Sequence, residues 1–144
     1  MTNEQIFSAC STAAMIGWII LAFLPFWKSR DKYVLGIIIM LLSATYLWLI
    51  TKNFTPGVME NFSTLAGVKS LFQNEEMLLA GWVHYLAFDL FVGVYILRNA
   101  RANAINHWIT VPSMLLSFMF GPVGLLVYTI TRTVITRKYL ADAG

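Results

Sequence analysis

The third apolar run of the chain reads MLLAGWVHYLAFDLFVGVYIL and extends from Met77 to Leu97. A helix of about 20 apolar residues crosses a bilayer, so this run is long enough to span one. Near its middle lies one acidic residue, Asp89. An ionised carboxylate at that depth costs about 2.5–3.5 kcal/mol, and such groups face the protein interior, pair with a partner, or stay protonated. The run therefore predicts a membrane-spanning helix with a polar group at its centre.

Three other apolar runs have a similar length. None of the four alternates in strand-length segments as a membrane β-barrel does, and lipid requires every backbone polar group to be paired internally, so all four predict helices. The four predicted spans cover residues 6–27, 33–51, 77–97 and 111–131. We therefore expect an all-α integral membrane protein, a four-transmembrane-helix bundle that forms a single domain over residues 1–144.

The composition of the 144 residues agrees with this fold class. Hydrophobic residues make up 58% and charged residues 12% of the chain, whereas a soluble domain has about 45–50% and about 25% respectively. A water-soluble enzyme and a disordered protein are poor fits on this ground. The net charge is only +3, and the basic residues flank apolar runs, which membrane topology explains better than nucleic-acid binding. We expect membrane lipid as a partner and no nucleic acid.

The chain has a single cysteine, Cys10, so no internal disulfide can form. The two histidines, the mid-span aspartate and this cysteine match no recognised metal-ligand spacing. The sequence also has no glycine-rich phosphate loop and no nucleophile elbow. It therefore predicts neither a metal site nor a cofactor.

The segment between the second and third predicted spans is the one long connection. Its apolar residues Val58, Phe62, Leu65 and Phe72 recur at near-helical spacing. The segment over residues 54–72 is too short and too polar for a fifth span, so it forms either a short interfacial helix or a lid over the bundle. Both alternatives stay open.

Lysine and arginine residues are divided evenly between the two sides that four spans would create. The loops after the first and third spans carry Lys28, Arg30, Lys32, Arg98 and Arg101. The other side carries Lys52, Lys69, Arg132, Arg137 and Lys138. Because cytoplasmic loops are enriched in these residues, we place both loops in the cytoplasm and both termini outside it, in a bacterial inner membrane. The basic tail contradicts this assignment.

Asp89 is the candidate catalytic residue. A carboxyl that stays neutral in an apolar environment can donate a proton; the alternative is a structural hydrogen bond to a neighbouring helix. Tyr85 lies four residues earlier on the same helix face and can orient the carboxyl or contact a ligand, and Gly93, four residues later, opens space there. His84 lies about 140° around the helix from Asp89, so it is either a base bordering a shared cavity or an interfacial hydrogen-bonding residue.

The fourth predicted span is interrupted by Gly121-Pro-Val-Gly124. Proline removes a backbone hydrogen bond and glycine permits close approach, so the break is either a packing kink or part of a ligand cavity. Stripes of small residues predict close helix packing. They comprise Ala9, Ala13 and Gly17 in the first span and Ser113, Ser117 and Gly121 in the fourth. In the last loop, His107 is expected at the surface.

Three motifs of the chain resemble the abscisic-acid-deficient-four-like family, a group of small four-helix membrane proteins otherwise described as a domain of unknown function. The motifs are Trp82-Val-His84, Phe88-Asp-Leu-Phe91 and Phe120-Gly-Pro-Val-Gly-Leu-Leu126. The plant member of the family is required to make neoxanthin from violaxanthin, a xanthophyll isomerisation. The resemblance therefore implies a hydrophobic ligand such as a carotenoid or another isoprenoid, lying within the bilayer.

Three functions remain open. As an intramembrane isomerase of the neoxanthin-synthase type, the protein needs one acid and one base: Asp89 protonates an epoxide oxygen, Tyr85 positions the carboxyl, and His84 or water takes a proton. The residues expected to bind the ligand are Trp18, Trp48, Trp82, Phe88, Gly93, Gly121 and Pro122. Alternatively, the protein binds a pigment or lipid without catalysis, or assists a membrane biosynthetic enzyme. The third function is a proton-coupled carrier, which would have to assemble as a homo-oligomer.

Overall fold

The computed structural model describes residues 1–140, and this part of the chain forms seven helices and no strand. The helices are α1 (Asn3–Phe23), α2 (Arg30–Asn53), α3 (Val58–Asn61), α4 (Leu65–Leu71), α5 (Glu75–Ala102), α6 (His107–Phe120) and α7 (Pro122–Thr136). Helices α1, α2 and α5 are long and apolar enough to cross a membrane, whereas α6 and α7 are shorter apolar helices. The prediction of an all-helical fold is confirmed.

Local sequence explains where the principal helices begin. Thr2 precedes α1, and its hydroxyl accepts a hydrogen bond from the Gln5 amide while the Gln5 side chain accepts one from the Thr2 amide. Asn74 and Asn106 act in the same way for α5 and α6, because each side-chain oxygen accepts from a backbone amide in the first helical turn. These contacts satisfy amide groups that have no partner within the helix, which fixes the start of each element.

Helix α5 is the centre of the bundle and contacts α1, α2, α6 and α7. Its residues Val83, Leu90 and Ile96 are fully buried along its length. The start of α5 lies beside the start of α1, since the side-chain amide of Asn3 donates to the Glu75 carboxylate at 2.9 Å. We call this end of the bundle, which also carries Glu4 and Glu76, the acidic end.

The opposite end of the bundle holds the end of α1, the start of α2 and the end of α5. There Asp31 accepts hydrogen bonds at 2.8 Å from Arg98 and from Arg101. We call it the basic end, because the two arginines and the buried Arg30 lie there. Helices α1 and α5 therefore run in parallel from the acidic to the basic end, and α2 runs in the opposite direction.

Helices α6 and α7 form a hairpin. Gly121 has a positive φ of 46° and ends α6, and Pro122 takes the first position of α7, where its missing amide hydrogen has no cost. Gly124 contacts the backbone of both Ser113 and Ser117, although residues 113 and 124 of one continuous helix would be about 16 Å apart. The chain therefore reverses at Gly121. The region predicted as the fourth span, residues 111–131, is thus divided between two helices that fold back on each other.

The returning helix α7 leads back to the basic end. Near that end, Tyr128 is fully buried and its hydroxyl donates to the Asn99 side-chain oxygen at 2.7 Å. Arg132 follows one turn later and donates to the same oxygen at 3.4 Å. The hairpin thus begins and ends at the basic end, and its tip reaches the middle of α5.

The hairpin places eight of the ten lysine and arginine residues at one end of the bundle. These eight are Lys28, Arg30, Lys32, Arg98, Arg101, Arg132, Arg137 and Lys138. The sequence predicted five basic residues on each side of the membrane. That prediction required a fourth helix that places the C-terminal tail on the side opposite the two basic loops. Since α7 turns back, the basic tail lies with the two basic connections and the contradiction disappears.

The stripe of small residues in the hairpin packs as the sequence predicts. Ser113 and Ser117 are buried at the contact between α6 and α7, and the Ser117 hydroxyl donates to the Gly121 carbonyl at 3.2 Å. In α1, Gly17 is buried against Leu90 of α5. Ala9 of the same predicted stripe is exposed.

The segment between α2 and α5 contains two short helices, not one. The Thr64 hydroxyl caps α4 by accepting from the Gly67 amide at 3.0 Å. Val58 and Leu71 pack with Met77 at the acidic end, whereas Leu65 is 87% exposed. The segment therefore has a small buried face and a large apolar face that the described part of the chain leaves uncovered.

Candidate functional site

Asp89 lies in the middle of α5, directly against the tip of the hairpin. Its side chain is buried, and its Oδ2 atom has no hydrogen-bond partner among residues 1–140. A Cβ atom at Gly121 would lie 2.7 Å from Asp89 Oδ1, so a side chain at this position would force the carboxyl to shift. A buried polar atom without a partner is costly and rare. Within residues 1–140 the same is found for two other side-chain atoms, Asn99 Nδ2 and Arg132 Nε, near the basic end.

Tyr85 is the second polar side chain at the tip. Its hydroxyl donates to the carbonyl oxygen of Met119 at 3.3 Å, with that of Phe118 at 3.5 Å. These carbonyls belong to the last turn of α6 and lose their helical partners where the chain reverses. A phenol has a single hydrogen to donate. The Asp89 carboxyl also lies within interaction distance of this hydroxyl, so the carboxyl and the α6 carbonyls compete for one hydrogen.

Two helix ends of opposite polarity meet beside the Asp89 carboxyl. The C-terminal end of α6 carries partial negative charge and the N-terminal end of α7 carries partial positive charge. The two contributions oppose each other at the tip, so neither helix alone fixes the charge state of Asp89. A carboxyl in such a setting can exchange a proton with a bound molecule.

The structure brings Asp89, Tyr85, Gly121 and Pro122 together, but not His84. The His84 ring is exposed on the outer surface of α5, where it stacks on Phe88 at 4.6 Å and lies 5.3 Å from Tyr46 between ring centroids. The angular offset between residues 84 and 89 turns the imidazole away from the hairpin. The exposed imidazole and the buried carboxyl therefore face different surroundings.

The four aromatic residues expected to line one apolar slot lie in separate places. Trp18 is buried in the core, packs edge-on against Phe118, and its ring lies 2.8 Å from a Cβ position at Gly93. The space that Gly93 opens is therefore already filled by Trp18. Trp48 and Phe88 are 51% and 59% exposed on outer faces.

Trp82 borders two apolar grooves on the outside of the bundle. One groove has a volume of about 310 Å³ and runs towards the acidic end past Phe7. The other has a volume of about 280 Å³ and is lined by Phe72, Gly81 and Tyr85. The two grooves share Leu78 and Trp82, and the second ends one helical turn before Asp89. A long, narrow apolar molecule can lie along this path with one end at the hairpin tip.

A larger cleft, about 650 Å³, lies between α1 and α2 and is lined by Cys10, Thr45 and Trp48 among others. Neither Asp89 nor any residue of the hairpin lines it. None of its lining groups is paired with a base or placed against an unsatisfied polar atom. The cleft is therefore large but has no arrangement of groups that indicates chemistry.

Sequence reasoning missed the polar cluster around His107. This residue was expected at the surface, but it is half-buried, with Nε2 2.8 Å from the Ala22 carbonyl and Nδ1 3.2 Å from an Arg30 nitrogen. Arg30 was interpreted only as a topology signal, yet it is 2% exposed. The nearest signal in the sequence was Asn106, a helix-capping residue that places His107 at the first position of a helix.

Three membrane-length helices, a helical hairpin and a buried carboxyl at the hairpin tip define a class of protein: an apolar helical bundle with a polar group in the middle of its central helix. The chain belongs to the ABA DEFICIENT 4-like family, whose model matches residues 5–128. The resemblance noted in the sequence is thereby confirmed.

A named relative is the chloroplastic protein ABA DEFICIENT 4 of Arabidopsis thaliana. The two chains are 28% identical over 107 residues, which cover 69% of this chain and 47% of the plant protein. The chain thus spans about half the length of that relative. No solved structure matches the chain.

Proposed function

We propose that this chain is an intramembrane isomerase of an epoxide-bearing carotenoid or a related isoprenoid lipid, with Asp89 as the group that transfers protons. The observation that carries the proposal is the buried Asp89 Oδ2, which has no partner among the described residues and lies at the tip of the hairpin. Membership of the ABA DEFICIENT 4-like family supports a carotenoid-related role.

One carboxyl is sufficient for such an isomerisation. The neutral Asp89 protonates the epoxide oxygen, one carbon–oxygen bond breaks, and the oxygen becomes a hydroxyl. The adjacent carbon then loses a proton, and the electrons of its carbon–hydrogen bond form the new double bond of an allene. The Asp89 carboxylate takes up this proton and is restored. The reaction needs no second base, which is consistent with the outward position of His84.

The grooves on either side of Trp82 supply the path for the substrate. A polyene that lies along α5 would contact Phe7, Phe72 and Trp82 and would place one end group beside Tyr85. The Tyr85 hydroxyl can then donate its hydrogen bond to the Met119 carbonyl, to the Asp89 carboxyl or to the ligand. Tyr85 is in this scheme a positioning residue.

A pigment-binding experiment tests the substrate path. Trp82→Ala is expected to lower the amount of carotenoid that co-purifies with the protein about tenfold, because a large aromatic contact surface is lost. The matched control is Trp48→Ala, since Trp48 is also half-exposed but borders the other cleft. The measurement is the ratio of pigment to protein absorbance after expression in a host that makes epoxy-carotenoids. Equal losses in both variants would contradict the proposed path.

A second candidate function is pigment binding without catalysis. The observation that favours it is the open character of both grooves, which lie on the outside of the bundle instead of enclosing a reaction chamber. Chromatography of the pigments from the same host separates the two functions. A new isomer in cells that express the wild-type chain supports catalysis, whereas bound pigment of unchanged composition supports a binding protein.

The membrane topology is a further part of the proposal. We infer that the three long helices cross the bilayer, that the hairpin enters it from the basic end, and that this end faces the cytoplasm, because eight basic residues lie there. Irregular backbone at membrane depth is tolerated where protein buries it, and the Gly121 turn packs against Asp89. The N-terminus and the C-terminus would then lie on opposite sides.

Reporter fusions check this topology. A reporter at the C-terminus and one inserted between Ala102 and His107 are expected to give the same cytoplasmic signal, and a reporter at the N-terminus the opposite one. Four full spans would instead place both termini on one side. That outcome would show that the hairpin is not inserted from the basic end.

A further inference from the structure

The basic end contains a small cavity that has no part in the chemistry at Asp89. Its volume is about 120 Å³, which is more than a single water molecule needs and well below the roughly 300–1,000 Å³ of a site for a whole small molecule. Its polar lining comprises Lys28, Arg30, Arg101, His107 and Thr110, and its apolar wall comprises Pro25, Leu97, Ala100 and Ile105. The space therefore suits one compact polar group next to an apolar chain.

Arg30 is a buried cation that only neutral groups contact. Its Nε donates to the Leu21 carbonyl at 3.2 Å, and Nη1 donates to the carbonyls of Pro25 and Trp27 at 2.9 and 3.2 Å. A guanidinium cannot accept a hydrogen bond. The contact between Arg30 Nη2 and His107 Nδ1 at 3.2 Å therefore makes Nδ1 the acceptor.

This contact also fixes the state of His107. With Nδ1 as acceptor, the ring hydrogen is on Nε2, which donates to the Ala22 carbonyl at 2.8 Å. The imidazole is then neutral and holds Arg30 in place without balancing its charge. Since isolated buried charges are strongly disfavoured, an anion beside Arg30 would complete the cluster.

The single acidic side chain of the described chain at this end is already occupied. Asp31 is bound by Arg98 Nε and Arg101 Nη1, both at 2.8 Å. Within residues 1–140, neither Lys28 nor Arg30 has a carboxylate within ion-pair distance. Three cations, Lys28, Arg30 and Arg101, thus line the cavity of about 120 Å³, and no carboxylate is part of its lining.

We propose that this cavity binds a phosphate group. Arg30 and Arg101 supply fixed donors, Lys28 closes the outer rim as a mobile charge, and the apolar wall accommodates the first carbons of an attached chain. Two sources share this chemistry, the headgroup of an anionic phospholipid and free inorganic phosphate. In the membrane topology proposed above, the basic end of the three long helices lies at the depth of the lipid headgroups.

The test measures the thermal unfolding midpoint of the purified protein in an uncharged detergent at constant ionic strength. The probes are dioleoyl phosphatidic acid, dioleoylglycerol, which has the same chains without phosphate, and inorganic phosphate. A ligand that binds the folded state raises the midpoint with its concentration. We expect phosphatidic acid to raise it and dioleoylglycerol to leave it unchanged. Stabilisation by inorganic phosphate as well would identify the free ion as a sufficient ligand.

The matched variants are Lys28→Gln and Lys32→Gln, two exposed lysines one turn apart at the same end, of which only Lys28 lines the cavity. Lys28→Gln is expected to weaken the apparent affinity about fivefold, the effect of one lysine near an anionic headgroup. Lys32→Gln is expected to leave it unchanged. Equal weakening by both variants, or no stabilisation by either phosphate probe, would overturn the proposal.

Discussion

Gly124→Ala is expected to lower the free energy of unfolding by about 3 kcal/mol, at the upper end of the usual cost of overpacking. The new Cβ would clash with the backbone of Ser113 and Ser117 on the facing helix. Rotation of a side chain cannot relieve such a contact, so α6 and α7 would have to move apart. The hairpin then loses the close approach that directs its tip towards Asp89, and activity is expected to fall together with stability.

Gly36→Ala is the matched control for this experiment. Gly36 is also helical, but a Cβ there would meet nothing within 4 Å. Alanine is the better helix former by about 0.5–1 kcal/mol, so this variant is expected to be at least as stable as the wild type. Denaturation in detergent, followed by circular dichroism, measures both. A Gly124→Ala protein as stable as Gly36→Ala would contradict the hairpin.

The long helices were predictable from the sequence because their signal is local. Hydropathy over about 20 residues identified α1, α2 and α5, and the helical repeat placed Tyr85 and Asp89 on one face. Both features follow from the order of residues along one element. Helices α1 and α5 begin before the predicted spans, since the caps at Thr2 and Asn74 add polar turns that a hydropathy window leaves out. Helix α1 also ends at Phe23, four residues before the end of the span predicted over residues 6–27.

The hairpin was not predictable in the same way, because residues 111–131 have the length and hydropathy of one span. The reversal depends on the positive φ of Gly121 and on the contact of Gly124 with Ser113 and Ser117, which are tertiary features. Two signals in the sequence pointed to it. Small residues occur on both sides of a glycine–proline pair, and the basic tail did not fit four spans.

The roles expected for His84 and for the aromatic residues show a second limit. Helix α5 is apolar around most of its circumference, so its sequence does not reveal which side faces protein and which faces outward. In a soluble helix, His84 and Trp82 would mark the exposed face. Within an apolar bundle only the packing partners of α5 settle the matter, and they turn Asp89 inward and Phe88 outward.

Asp89→Asn is expected to reduce formation of the isomerised product by about 10²- to 10⁴-fold, the usual contribution of a general acid or base. Asparagine keeps the size and shape of the side chain but has no acidic proton to transfer. The matched control is His84→Gln on the same helix, and because the His84 ring is exposed, its product yield is expected to stay near that of the wild type. Chromatography of pigments from an epoxy-carotenoid host measures both.

The stability of Asp89→Asn separates a chemical role from a structural one. If the carboxyl holds helices together, its replacement lowers stability. If it has no partner and is retained for function, its replacement does not lower stability. We therefore expect the variant to unfold at no lower temperature than the wild type and to retain bound pigment while product is lost. Full product from Asp89→Asn would remove this residue from the reaction, and a large drop in stability would make its loss of activity a consequence of misfolding.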